Sequence, residues 1–181
     1  MRVYLAGPEV FLAEAASIAA AKKAICARFG LDGVFPTDLH PDTPAEPEAH
    51  WAIYAQNEAH LRGCDALIAN LTPFRGPSAD AGTAYELGFM RALGRPVFGY
   101  AYVAGDFAQR TLVALGPRIR RRADGTWEDE EGMALEEFGL IDNLMLDGGI
   151  RASGGVFLTG PPAPWADLAL FERCAEQAGL E

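Results

Sequence analysis

The chain has 181 residues, half of them hydrophobic, with a formal charge of −10 and a pI of about 4.7. That length and apolar fraction suit one substantial core, so residues 1–181 read as a single domain without internal repeats or low-complexity tracts. The acidic balance argues against a nucleic-acid surface, no apolar run reaches the roughly 18 residues of a membrane span, and MRVYLAG enters a strand without a signal-peptide pattern; a soluble, cytoplasmic protein is expected.

Residues 2–6 form a short apolar strand ending at Gly7-Pro8, a turn with close backbone approach. Helical spacing of Leu12, Ala15, Ala19 and Ile25 predicts a helix over 11–29, stopped by Gly30. A second short strand covers 33–36. Residues 37–50 are polar and proline-rich, too long for a tight connection, and read as a lid or a flexible segment. A helix over 51–62 follows, with Ile53, Tyr54, Asn57 and Leu61 at helical spacing.

Residues 64–100 read as strand, loop, helix and strand. The apolar run 66–71 is too short for a core helix and ends at Pro73, Gly76 and Pro77, which suits a strand buried on both faces. Asp80 occupies an N-cap position. Beyond it, Ala81, Ala84, Gly88 and Ala92 recur every three or four residues, so the helix is expected to lie close against the sheet, and Gly94 stops it. Glu86 shares an angular line with Phe89, Met90 and Leu93, a carboxylate set into an apolar face near the positive end of the helix dipole. Two readings of Glu86 stand: a stem packed on apolar neighbours with its head in water, or a desolvated carboxylate beside a crevice. Ligands of open parallel sheets bind outside the carboxyl ends of the strands, where this loop lies.

A fourth strand covers 96–100, and the pattern loosens through 101–132. There Arg118, Arg120, Arg121 and Arg122 are followed by Asp124-Gly125 and an acidic run at 128–131, which predicts a charge-compensated, exposed hairpin. In the segment 136–150, Asn143 interrupts an apolar helix as a cap or a core hydrogen-bonding group. Residues 164–179 form an amphipathic helix with Trp165, Leu168, Phe171 and Cys174 on one face. The alternation predicts an α/β fold, a doubly wound, flavodoxin-like, mostly parallel five-stranded sheet with helices on both faces. Three cysteines and three histidines show no ligand spacing, so buried reduced thiols are expected and neither a metal nor an organic cofactor is implied.

The segments VYLAGPEVF, Asp65, Asp80 six residues before Glu86 in an YELG helix, and Asp142-Asn143-Leu144-Met145 together resemble the nucleoside 2-deoxyribosyltransferase family over residues 2–148. The resemblance implies transfer of a 2-deoxyribosyl group from a 2′-deoxynucleoside to a free nucleobase, with retention and without a cofactor. Glu86 would be the nucleophile and Asp65 the proton donor to the departing base. Asp80 would meet an uncharged 5′-hydroxyl, Tyr4 and Gly7 would lie by the sugar and Phe11 by the base, and Asp38 or His40 would reach over the base. Asn143 would serve a neighbouring subunit of a homo-oligomer. A related family of deoxynucleotide N-hydrolases offers an alternative in which Ser78 and Arg75 serve a 5′-phosphate. DAGTAYELG also resembles the turn of Rossmann-type nucleotide-sensing modules, which catalyse nothing. The enzymatic reading with Asp65 as proton donor requires Asp65, Asp80 and Glu86 to converge on one sugar.

Overall fold

The computed structural model describes residues 1–40 and 48–180. Five strands form one parallel sheet in the order β2-β1-β3-β4-β7: β1 Arg2–Ala6, β2 Asp32–Val34, β3 Ala66–Asn70, β4 Val97–Tyr102 and β7 Phe157–Gly160. The register pairs Tyr4 with Val34 on one side and with Leu67 on the other, and Asn70 with Tyr100. The flavodoxin-like order expected of the alternating pattern is therefore observed. Its switch point lies between the carboxyl ends of β1 and β3, where successive connections leave on opposite faces.

The alternation of side chains along β1 divides the core. Val3 and Leu5 pack with Ile68, Phe98 and Tyr100 under α1 (Ala15–Arg28) and α6 (Ala169–Ala178). Tyr4 and Ala6 face the opposite way, with Leu67, Ala69 and Val97, under α2 (Ala49–Gly63), α3 (Ala81–Ala92) and α5 (Leu144–Ala152). All five residues of β3 are buried, as a strand covered on both faces requires. A Cβ on Gly99 would stand 2.6 Å from Ile150 Cδ1, so this glycine lets α5 lie against β4. Among the described residues no helix is long and apolar enough to cross a membrane.

Several local expectations change. The first helix is preceded by a separate 3-10 turn over Pro8–Phe11, and α6 begins only at Ala169. The stretch after β4 contains α4 (Phe107–Leu115), opened by a capping box in which Asp106 and Gln109 bond each other's backbone. The hairpin appears as β5 (Ile119–Arg121) paired antiparallel with β6 (Trp127–Asp129), and Glu128 pairs with both Arg120 and Arg122, one oxygen each, at 2.6 and 2.5 Å. On α3 the residues that meet the sheet are Thr83, Leu87 and Met90, whereas the small residues Ala84, Gly88 and Ala92 line a groove against α5. Half of the predicted lid, residues 41–47, lies outside the described residues.

Candidate active site

At the carboxyl end of β1 the chain turns at Gly7. A Cβ there would lie 2.1 Å from Glu9 Oε2 and 2.9 Å from Asn70 Cβ, so only glycine lets the turn close onto the end of β3. Beneath the turn Glu9 is buried. Its Oε1 accepts from Lys22 Nζ at 2.6 Å, Asn70 Nδ2 at 2.7 Å and Tyr100 Oη at 3.1 Å, which ties β1, β3, β4 and α1 together under the switch point. Burial alone would raise the Glu9 pKa, but attraction to Lys22 and the hydrogen bonds from Lys22 and Asn70 outweigh it, and the carboxyl is held below its ordinary value. Lys22 is equally buried, 1% exposed.

Helix α3 opens with Asp80, whose Oδ2 accepts from the Thr83 amide at 3.0 Å and from Thr83 Oγ1 at 3.2 Å. Glu86 lies in the helix behind this cap, on the side facing Tyr4, and accepts from Tyr4 Oη at 2.7 Å. Burial raises the Glu86 pKa to about 7; the Tyr4 hydrogen bond opposes that rise and the charge of Asp80 adds to it. Reciprocally, burial and the facing carboxylate push the Tyr4 hydroxyl well above its ordinary range, so it remains a donor at any physiological pH.

Glu86 lines two adjoining chambers. The smaller, about 130 Å³, is bounded by Gly7, Phe11, Pro36, Asp80 and Thr83. The larger, about 280 Å³, lies toward α2 between Tyr54, Glu58, Leu61 and Tyr85, where Tyr54 Oη donates to Glu58 at 2.8 Å. Asn57 and Gly82 border both chambers.

The structure thus brings Tyr4, Gly7, Phe11, Asp80 and Glu86 together at the switch point. It does not bring Asp65 to them. Asp65 precedes the first residue of β3 and is exposed, with its Oδ2 accepting from the Arg2 amide at 2.8 Å; in a parallel sheet that is the amino edge, a strand's length from Gly7. The three-carboxylate convergence is accordingly replaced by two carboxylates, a tyrosine and an amide. Asp38 closes the turn after β2 by accepting from the Phe35 amide at 2.9 Å and pairs with Lys23 at 2.6 Å. His40 packs edge-on to His60 with ring centroids 5.0 Å apart, and neither Asp38 nor His40 lines a chamber. Ser78 donates to Asp142, which also accepts from the Ala79 amide at 2.9 Å, so this hydroxyl braces the loop. Asn143 caps α5 through Met145 N at 3.0 Å and donates to Glu136 at 2.5 Å.

Asn57 was not singled out by its sequence context. Its Oδ1 is buried without a hydrogen-bond partner among the described residues, beside Glu86. The signal was present: an amide occupies a position on the α2 stripe otherwise filled by Ile53, Tyr54 and Leu61.

A doubly wound sheet with a desolvated carboxylate beside a crevice at its switch point defines an α/β protein built to hold a small ligand there. The chain belongs to the nucleoside 2-deoxyribosyltransferase family, whose model matches residues 3–145. A protein of Schizosaccharomyces pombe described as uncharacterized is 33% identical over 165 residues, 84% of this chain and 78% of its own length. Among solved structures, a 2-desoxiribosyltransferase from Leishmania mexicana is 27% identical with a TM-score of 0.62, covering 95% of this chain and 97% of that one. A conserved protein from Enterococcus faecalis shares the fold at 21% identity, with a TM-score of 0.56 and 98% of both chains covered.

Proposed function

We propose that this protein transfers the 2-deoxyribosyl group of a 2′-deoxynucleoside to another nucleobase through a covalent intermediate on Glu86. The observation that carries the reading is Glu86 itself, oriented by Tyr4 Oη at 2.7 Å where the two chambers meet, with a pKa of about 7 that leaves a nucleophilic carboxylate available at neutral pH.

An Oε of Glu86 attacks C1′, the C1′–N bond breaks, and the base departs with the bonding pair and takes up a proton. The acceptor base then attacks C1′ from the opposite face and gives up its ring N–H proton to water, replacing the one taken in the first step; the ester C1′–O bond breaks and Glu86 is restored as the carboxylate with net retention. Asp65 lies at the amino edge, Asn57 has no titrating proton, and Glu58 accepts from Tyr54 and Arg62, and in this reading the proton is taken from solvent water. Asn57 supplies an amide to the base or sugar. Asp80, with one oxygen engaged by Thr83, keeps the other for the 5′-hydroxyl; a 5′-phosphate dianion a few ångströms from that carboxylate would be repelled. Nucleosides are therefore the substrates rather than 5′-monophosphates.

The same reading includes a homo-oligomer. Leu144 and Met145, 41% and 71% exposed beside the α3–α5 groove, supply an apolar surface for a second copy, and sedimentation of the active protein measures it. The decisive assay incubates the protein with a deoxynucleoside and a different free base. Exchanged nucleoside supports transfer, release of base without exchange identifies a hydrolase, and tight binding without either identifies a nucleotide sensor. Glu86→Ala must abolish both exchange and any trapped adduct.

A further inference from the structure

Over Phe11, a wall of the smaller chamber, packs a cation for which the reaction just described has no use. Arg75, in the loop between β3 and α3, is the only non-glycine residue with positive φ, 56°, among the described residues. A side-chain-bearing residue is disfavoured there, so the loop holds Arg75 in place against a local penalty. The Phe74 amide closes that loop on Ser78 O at 3.0 Å.

The guanidinium packs over the ring of Phe74 at 4.6 Å and over that of Phe11 at 5.4 Å. The two rings are themselves stacked, 5.4 Å apart and 11° from parallel. Phe11 is also a wall of the chamber that holds Asp80 and Glu86, and 59% of it is exposed, enough for a flat ligand to lie on the uncovered part. Among the described residues Arg75 forms no ion pair and donates no hydrogen bond, its side-chain contacts being those with Phe11 and Phe74, although acidic side chains outnumber basic ones 25 to 15 in the chain. A guanidinium resting on a ring by its flat face keeps its N–H groups around its edge, and it has donors only.

We propose that Arg75 is a specificity-determining residue that reads the nucleobase and favours 6-oxopurines, an inference that rests on the deoxyribosyl-transfer reading. A base laid on Phe11 beside the guanidinium meets a forked pair of donors. Hypoxanthine and guanine present two adjacent acceptors, O6 and N7, to such a fork. Adenine sets an amino donor beside N7, and uracil and thymine hold an N3–H donor between their two carbonyls. Contact with both rings holds the fork beside a base laid on Phe11.

The test has two arms. Binding of free hypoxanthine and of free adenine is measured by calorimetry on wild type, Arg75→Lys and Arg75→Gly; glycine suits the positive φ, so the loop is kept while the fork is removed. Wild type should prefer hypoxanthine by about 10-fold or more, the discrimination of one bidentate pair, and both variants should fall toward parity, lysine because a point charge lacks the fork. Equal preference in wild type, or a preference that survives Arg75→Gly, overturns the proposal. In the second arm equimolar hypoxanthine and adenine compete as acceptors in the exchange assay. Arg75-dependent binding preference with no exchange sinks the transfer reading and leaves base recognition standing. If Arg75→Gly instead weakens deoxyinosine 5′-monophosphate more than hypoxanthine, the cation serves a phosphate and the base-reading role is wrong.

Discussion

Tyr4 Oη lies 2.7 Å from Glu86 Oε1, a bond from the middle strand region of β1 to helix α3 that spans 82 residues of sequence. Removing the hydroxyl with Tyr4→Phe leaves the ring packed in the core but strips Glu86, the proposed nucleophile, of the one side chain that both aims it and favours its charged form. A hydrogen bond to a charged group contributes about 1.5–3 kcal/mol, so kcat/KM should drop by roughly 10- to 100-fold. Because the lost bond lowers the Glu86 pKa, the acid limb of the rate profile should also move to higher pH. A variant with the wild-type profile would show that Tyr4 does not act on Glu86.

The pH dependence of the unmodified protein follows from the same group. The Glu86 pKa is raised to about 7, and attack needs the ionised form, so kcat/KM should climb with pH through that value and level off above it. Stability runs the opposite way. The folded state holds the proton more tightly than the unfolded chain, so its contribution is complete below the ordinary carboxylate range and is lost as pH rises toward about 7. Glu86→Gln should flatten that slope in denaturant titrations at several pH values; an unchanged slope would assign it to other groups.

The buried strand β3, the Asp80 cap and the turn at Gly7 were legible because they rest on local signals, the sheet order followed from the β/α alternation, and the meeting of Gly7, Asp80 and Glu86 was implied by the family resemblance. What was not legible depends on direction. Asp65 precedes its strand and Asn70 ends it, and a parallel sheet sends these two ends to opposite edges, so a carboxylate close to Glu86 in sequence lies far from it in space. The small residues of α3 were compatible with either neighbour, and the bulk of Leu87 and Met90 decided that the sheet took the other face. Helix α4 rests on a capping box that only coordinates make reciprocal, and β7 pairs on one side only, so its sequence lacks the apolar run of a central strand.

Asn57 offers a way to separate binding from architecture. Its Oδ1 has no hydrogen-bond partner among the described residues, so Asn57→Ala strands no buried donor, and the usual penalty for breaking a buried pair does not arise. Thermal unfolding should shift little, whereas KM for the deoxynucleoside should rise several-fold as the substrate loses an amide contact. A large fall in Tm with unaltered KM would make Asn57 a packing residue.

The buried pair of Glu9 and Lys22, each 1% exposed and 2.6 Å apart, should dominate the mutational energetics of the switch point. Lys22→Met leaves a carboxylate buried against Gly7 with only Asn70 and Tyr100 to compensate it, and Glu9→Leu leaves an unpaired buried ammonium. Breaking one side of such a pair typically destabilises by about 3–5 kcal/mol, whereas replacing both partners with apolar groups is often near neutral. Equilibrium denaturation of Lys22→Met, of Glu9→Leu and of the double variant should therefore give two large single losses and a double loss well below their sum. Additive losses would mean that the two charges are not coupled and that the turn at Gly7 is held by packing alone. Recovery of the fold in the double variant without recovery of base exchange would show that the carboxylate, and not merely a filled volume, sets the position of the Gly7 turn against the sugar.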